Sequence, residues 1–151
     1  MINLAEVNSN TKTISLEELY NKIIEKDLIV KKYELTENEK SNVISKIFCR
    51  LPLQIVFVRD ANSLNTIFLG KEVYAISDFI NNRFKYVSNI EGISDNYFNE
   101  MPKYLQRRIL QSYITLQYIK INDESFEELK DILKEWILWV GTQVLKLWKT
   151  Q

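Results

Sequence analysis

The sequence predicts an α+β domain, a small mixed sheet packed with helices and closed by a long C-terminal helix. Three observations predict it. Ser15/Glu18, Thr36/Glu39 and Ser125/Glu128 have the spacing of capping boxes, each followed by apolar residues at helical intervals. Gln54–Arg59, Asn65–Leu69 and Tyr113–Ile121 are rich in β-branched and aromatic residues and are bounded by turn-forming residues. Helical and extended segments are interspersed, so strands must find helices to cover them.

The elements follow in order. Ser15 opens a helix whose inner stripe is Leu16, Leu19, Tyr20, Ile23 and Ile24. Thr36 opens a second, with Val43, Ile44, Ile47 and Phe48 on its stripe. Pro52 precedes the strand Ile55-Val56-Phe57-Val58. Asp60-Ala61-Asn62-Ser63 is turn chemistry, so Asn65–Leu69 should return antiparallel. A third helix runs from about Lys71 to Arg83, with Val73, Ile76, Phe79 and Ile80 inward and Asn81-Asn82 suited to ending it. Phe84–Val87 is a short strand candidate, and Asn89–Asn99 reads as loop. Pro102 fits the first turn of a helix reaching about Gln111. Residues 1–13 read as a polar segment, and 14–151 as one domain.

Composition narrows the chemistry. The 151 residues hold 20 basic and 20 acidic side chains, so no net charge draws the chain to nucleic acid or anionic membrane. A nucleic-acid site would have to be a local patch, for which Lys31-Lys32, Arg83/Lys85 and Arg107-Arg108 are the candidates. There is no histidine, which excludes histidine-based triads, zinc proteases and acid catalysis. Cys49, the only cysteine, reads as a small core residue at the end of an apolar stripe. No window holds the roughly 18 uncharged apolar residues a membrane span requires, since Ile132–Trp148 is broken by Lys134, Glu135 and Lys146. The expected location is the cytoplasm. Abundant Asn, Lys and Ile with only three Gly and two Pro suit an AT-rich genome, viral in one reading, which would make it the host cytoplasm.

Ile67-Phe68-Leu69-Gly70-Lys71-Glu72-Val73 runs from a strand through a glycine straight into a helix. Such junctions offer free N–H groups to anions. In order along the chain, Val43–Leu53 forms a helix with a Pro-containing exit, Ile55–Val58 a strand, and Leu69–Val73 the junction. Ile76-Ser77-Asp78-Phe79-Ile80-Asn81-Asn82-Arg83-Phe84, then Tyr97-Phe98-Asn99-Glu100-Met101-Pro102 and Leu105-Gln106-Arg107-Arg108, complete the pattern. From about Ile14 to Leu145 the chain resembles the N-terminal domain of GmrSD-type restriction enzymes, a family with a ParB/sulfiredoxin-like fold.

The resemblance implies nucleotide binding and hydrolysis through a DGQQR motif, an FQR motif and an Asn-Gly-Gly segment. Here the first falls on Leu69-Gly70-Lys71-Glu72-Val73, where only Gly70 is kept. The second falls on Val30-Lys31-Lys32, and the third near Val140-Gly141-Thr142. Val cannot make the bidentate phosphate contacts of Arg, and Leu cannot hold a metal as Asp does. Relatives also carry a histidine-dependent nuclease domain, an activity not expected from a chain without histidine.

The resulting expectation is a catalytically inactive binding or regulatory protein, linked to restriction or anti-restriction, with no catalytic residue, metal or cofactor. The residues left to contact phosphate are Lys32, Gly70, Lys71 and Glu72. The bland alternative makes Gly70 a tight turn and Lys71 a solvated side chain. In the last helix, Phe126, Leu129, Leu133, Trp136, Ile137, Val140, Val144 and Leu147 form one face, with Ile132, Trp139, Leu145 and Trp148 outside it. An interface through Trp136, Trp139 and Trp148, to a protein partner or a second copy, stands beside simple burial of that helix. A divergent nucleotide-hydrolysing enzyme and a nucleic-acid-binding module are the alternatives.

Overall fold

The computed structural model describes residues 8–61 and 64–133. Its described residues divide into two compact units, 9–119 and 120–133 together with Asn8. The order is β1 (Asn8–Ser15), α1 (Leu16–Ile24), β2 (Leu28–Val30), α2 (Glu37–Phe48), β3 (Val56–Ala61), β4 (Leu64–Leu69), α3 (Lys71–Ile80), a 3-10 turn (Phe98–Glu100), α4 (Lys103–Leu110) and β5 (Tyr113–Lys120). The fold is α+β, as expected. Its five-stranded mixed sheet runs β1-β5-β3-β4-β2.

Strand β3 is central. It pairs in parallel with β5, from Val56 opposite Leu116 to Arg59 opposite Ile119, and antiparallel with β4, with a register shift between Phe57 and Val58. Val56, Phe57 and Val58 are all buried. Consecutive strand residues point to opposite faces, so both faces of β3 are covered. The edge strand β2 runs parallel to β4, with Val30 opposite Ile67.

Sequence reading provided neither β1 nor β2. Strand β1 lies in the polar N-terminal segment, its first six residues exposed, so it has no apolar alternation to reveal it. Its partner supplies the order. Thr11 Oγ1 donates to Gln117 Oε1 at 2.6 Å, and Thr13 and Thr115 hydroxyls meet at 3.3 Å. One number rises as the other falls, which is the antiparallel sense. Phe84–Val87 forms no strand, only an isolated bridge between Tyr86 and Asn96.

Helix starts follow the caps. Ser15 accepts the Glu18 N–H, and Thr36 and Glu39 complete a reciprocal capping box. The third expected box is corrected. Residues 123–133 are helical, and Asn122 Oδ1 accepts the Ser125 N–H at 2.8 Å. Asn122 is therefore the cap, and Ser125 sits inside the first turn, itself buried. The continuation of that helix lies outside the described residues.

Helices α2 and α3 lie against each other. The only buried carboxylates among the described residues, Glu72 and Asp78, both reach lysines of α2. Asp78 Oδ2 receives Lys40 Nζ at 2.8 Å, and Glu72 pairs with Lys46. The order of the pairs makes the helices antiparallel. Beyond α3, Phe79, Phe84, Tyr86 and Phe98 pack as aromatic neighbours, with Phe79 at 5.3 to 6.2 Å from each of the other three. Asn82 Oδ1 accepts the Asn99 N–H at 2.9 Å, tying the end of α3 to the turn at Phe98. Cys49 is not a core residue: α2 ends at Phe48, and the chain turns Cys49 outward at the C-cap, leaving it exposed.

Candidate functional site

The parallel pairing of β2 and β4 sets their C-terminal ends side by side, and this gathers the expected phosphate-contacting residues. Lys31, Lys32 and Tyr33 leave β2 where Gly70 and Lys71 leave β4. Two segments separated by more than thirty-five residues thus share one edge of the sheet. Lys32 and Lys71 are exposed there, and Lys31 Nζ lies 5.7 Å from the centroid of the Tyr33 ring.

The interior of this junction is occupied. The Gly70 N–H donates to Tyr33 Oη at 3.1 Å, so the first amide available to an anion has a partner. Burial pushes the Tyr33 phenol above its ordinary value, an effect that the Gly70 N–H partly offsets by favouring the phenolate. Tyr33 stays a neutral hydroxyl, able to accept this bond. It also lies 6.3 Å from the Tyr74 ring.

Gly70 is needed for space. Its φ of 174° is extended backbone that any residue adopts. A Cβ there would sit 2.6 Å from Val73 Cγ1 and 3.0 Å from Ile67 Cγ2, and Val73 and Ile67 are both fully buried. The aliphatic side chain standing where the resemblance puts an arginine fills the ground under the turn.

Glu72 faces away from solvent. Its Oε2 pairs with Lys46, and its Oε1 accepts the Gln54 N–H at 2.5 Å. The carboxylate ties the end of α2 and the segment entering β3 to the first turn of α3. The structure therefore brings Lys32, Gly70 and Lys71 together and gives Glu72 a packing duty. Sequence reasoning missed Tyr33 and Lys46 as partners. Lys46 had a faint signal, a lysine three residues after the buried Val43 and next to Ile47 on the apolar stripe. Tyr33 had none beyond its neighbouring lysines.

Of the basic clusters, Arg83 stands apart from Lys71 at the other end of α3, a helix length away and 3.5 Å from Asp78. Arg108 Nη2 donates to the Phe48 carbonyl at 2.9 Å, closing the C-terminal end of α2. Among the described residues no group of three or more His, Cys, Asp or Glu is placed to hold a metal ion, and no helix is long and apolar enough to cross a membrane. Trp136, Trp139 and Trp148 lie outside the described residues. No family of proteins, curated protein or solved structure matches the chain.

Proposed function

We propose that the chain is a non-catalytic binding or regulatory protein of the cytoplasm, a degenerate relative of the GmrSD N-terminal domains linked to restriction or anti-restriction. One observation carries the reading: at the β4–α3 junction Tyr33 takes the Gly70 amide, Lys46 and Gln54 take Glu72, and Val73 fills the floor. Triphosphate hydrolysis needs donors and a metal-binding or water-orienting carboxylate aimed outward. The carboxylate in this turn points inward to its own scaffold. Lys32 and Lys71 remain as surface charges, which attract anions weakly without orienting them.

The partner is a protein or a second copy, bound through the Trp-rich C-terminal stretch. Calorimetry with ATP and GTP in the presence of Mg²⁺ should give no saturable heat, and a phosphate-release assay no steady turnover. Turnover abolished by Lys71→Ala would establish the enzyme alternative instead. Light scattering should show self-association or a complex that Trp139→Ala with Trp148→Ala dissolves. An unchanged mass would remove the partner surface from that stretch.

A further inference from the structure

From Met101 to Ile119 the chain has no acidic residue, although acids and bases are equal over its whole length. Within that stretch α4 presents Lys103, Tyr104 and Arg107 as exposed residues, followed by exposed Gln111 at the C-cap. They share one side at helical spacing, opposite the buried Leu105 and Ile109. The two most exposed large apolar residues among those described, Tyr113 at 71% and Tyr104 at 65%, lie just beyond and just before the arginines of α4.

At the C-terminal end of α4 this face runs into a cavity of about 430 Å³. Arg50, Leu51, Leu53, Arg108, Gln111 and Tyr113 are among the residues lining it. Arg50 is held by the backbone in the left-handed region, φ 57°, just past the end of α2. Arg108 is anchored through the Phe48 carbonyl. Two guanidiniums thus border a hollow with an aliphatic wall and a tyrosine at its edge. Acidic residues lie near both ends of α4. Glu100 precedes Pro102, and Glu17 and Glu18 open α1, whose Leu16 N–H bonds the Ser112 carbonyl at 2.8 Å.

We propose that the outer face of α4 and this cavity bind single-stranded nucleic acid. The guanidiniums and Lys103 contact successive phosphates, and an unpaired base stacks on Tyr113 and enters the cavity. Basic groups alone would serve any polyanion. Exposed aromatic rings alternating with guanidiniums over a concave, part-apolar floor fit unpaired bases, because every base offers a π-face and duplex bases are already stacked. The surface is distinct from the β4–α3 junction, so the two readings fail separately: mononucleotide calorimetry addresses the junction, and oligonucleotide binding addresses this face.

The test is fluorescence anisotropy of the full chain with labelled single-stranded DNA and RNA of about 15 nucleotides, the duplex of the same sequence, and anionic phospholipid vesicles as competitor. Single strands should bind, with affinity falling steeply as salt rises from about 50 to about 200 mM. Lys103→Glu with Arg107→Glu, both at exposed positions, should weaken binding at least about tenfold. Tyr113→Ala should weaken single-strand binding about tenfold and leave any duplex binding unchanged. Arg50→Gly, which suits the left-handed backbone, should lower the salt slope by about one. Absence of salt-dependent single-strand binding, preference for duplex, displacement by vesicles, or indifference to all three variants would overturn the proposal.

Discussion

At Gly70 a single methyl group decides whether the β4–α3 junction closes. Gly70→Ala places its Cβ against Val73 Cγ1 in a buried site with no room for it. The expected cost is about 1–3 kcal/mol, the range for overpacking. Shortening the neighbour should return part of it, so Gly70→Ala with Val73→Ala should be less destabilised than the sum of the two single variants. Urea denaturation of the four proteins checks this, and strict additivity would show that Gly70 is not held by Val73. The residue was visible in the sequence as a strand-to-helix punctuation mark. Its reason was not, because the clash is with a side chain that only the turn of α3 brings beneath it. Glu72 teaches the same lesson: a carboxylate beside a phosphate-like junction looks available until the α2 lysine that neutralises it is in view.

The pairing of α2 with α3 is the element-scale feature that chain order conceals. Glu72 and Asp78 are six residues apart and do not stack on one face of α3, yet both meet α2. The two helices pack along most of their length, and long lysine side chains reach sideways to each acid. Asp78 is the more deeply enclosed pair, with side-chain exposures of 7% for it and 15% for Lys40. Lys40 also lies 5.4 Å from the ring centroids of Tyr74 and Phe84. Asp78→Asn should cost about 3 kcal/mol, because the largely buried Lys40 ammonium then faces a neutral amide oxygen and those rings in place of its carboxylate. Lys40→Met with Asp78→Leu should be clearly more stable than Asp78→Asn, since neither charge then remains to be desolvated. Thermal denaturation reads both, and a neutral Asp78→Asn would show that the pair is a surface contact without weight. Helix boundaries themselves were legible from caps at Ser15 and Thr36. The cap at the last helix was misplaced by three residues because Asn122 and Ser125 are both capping residues, and only the geometry selects the one whose oxygen meets an orphan N–H.

Across the whole molecule, stability at alkaline pH reports how the sheet and helices enclose phenols. Tyr118 on β5 is pushed above its ordinary value of 10.0 by burial first, and then by the negative charges of Asp60 and Glu18. Tyr33 is raised mainly by burial. A folded-state value above the unfolded one means the unfolded chain ionises first as pH rises. The stabilisation is complete below about pH 10 and is lost as pH climbs through the raised folded-state values. The urea midpoint should therefore fall between about pH 9 and about pH 11, and Tyr118→Phe should flatten part of that fall relative to the parent protein. Parallel curves for the two would show that Tyr118 titrates alike in both states.

The linear pattern of residues determined the α+β class, the three main strands and the first two helix caps, because each depends on neighbours within a few positions. It also displayed what the chain lacks, histidine above all. Tertiary structure alone decided that a polar, Thr-rich N-terminal stretch is a strand, that Lys32 and Gly70 share an edge, that Glu72 faces inward and that Cys49 faces outward. The physical reason is range. Caps and alternation are satisfied locally, whereas strand pairing, charge neutralisation and close packing depend on groups that folding brings together from distant parts of the chain.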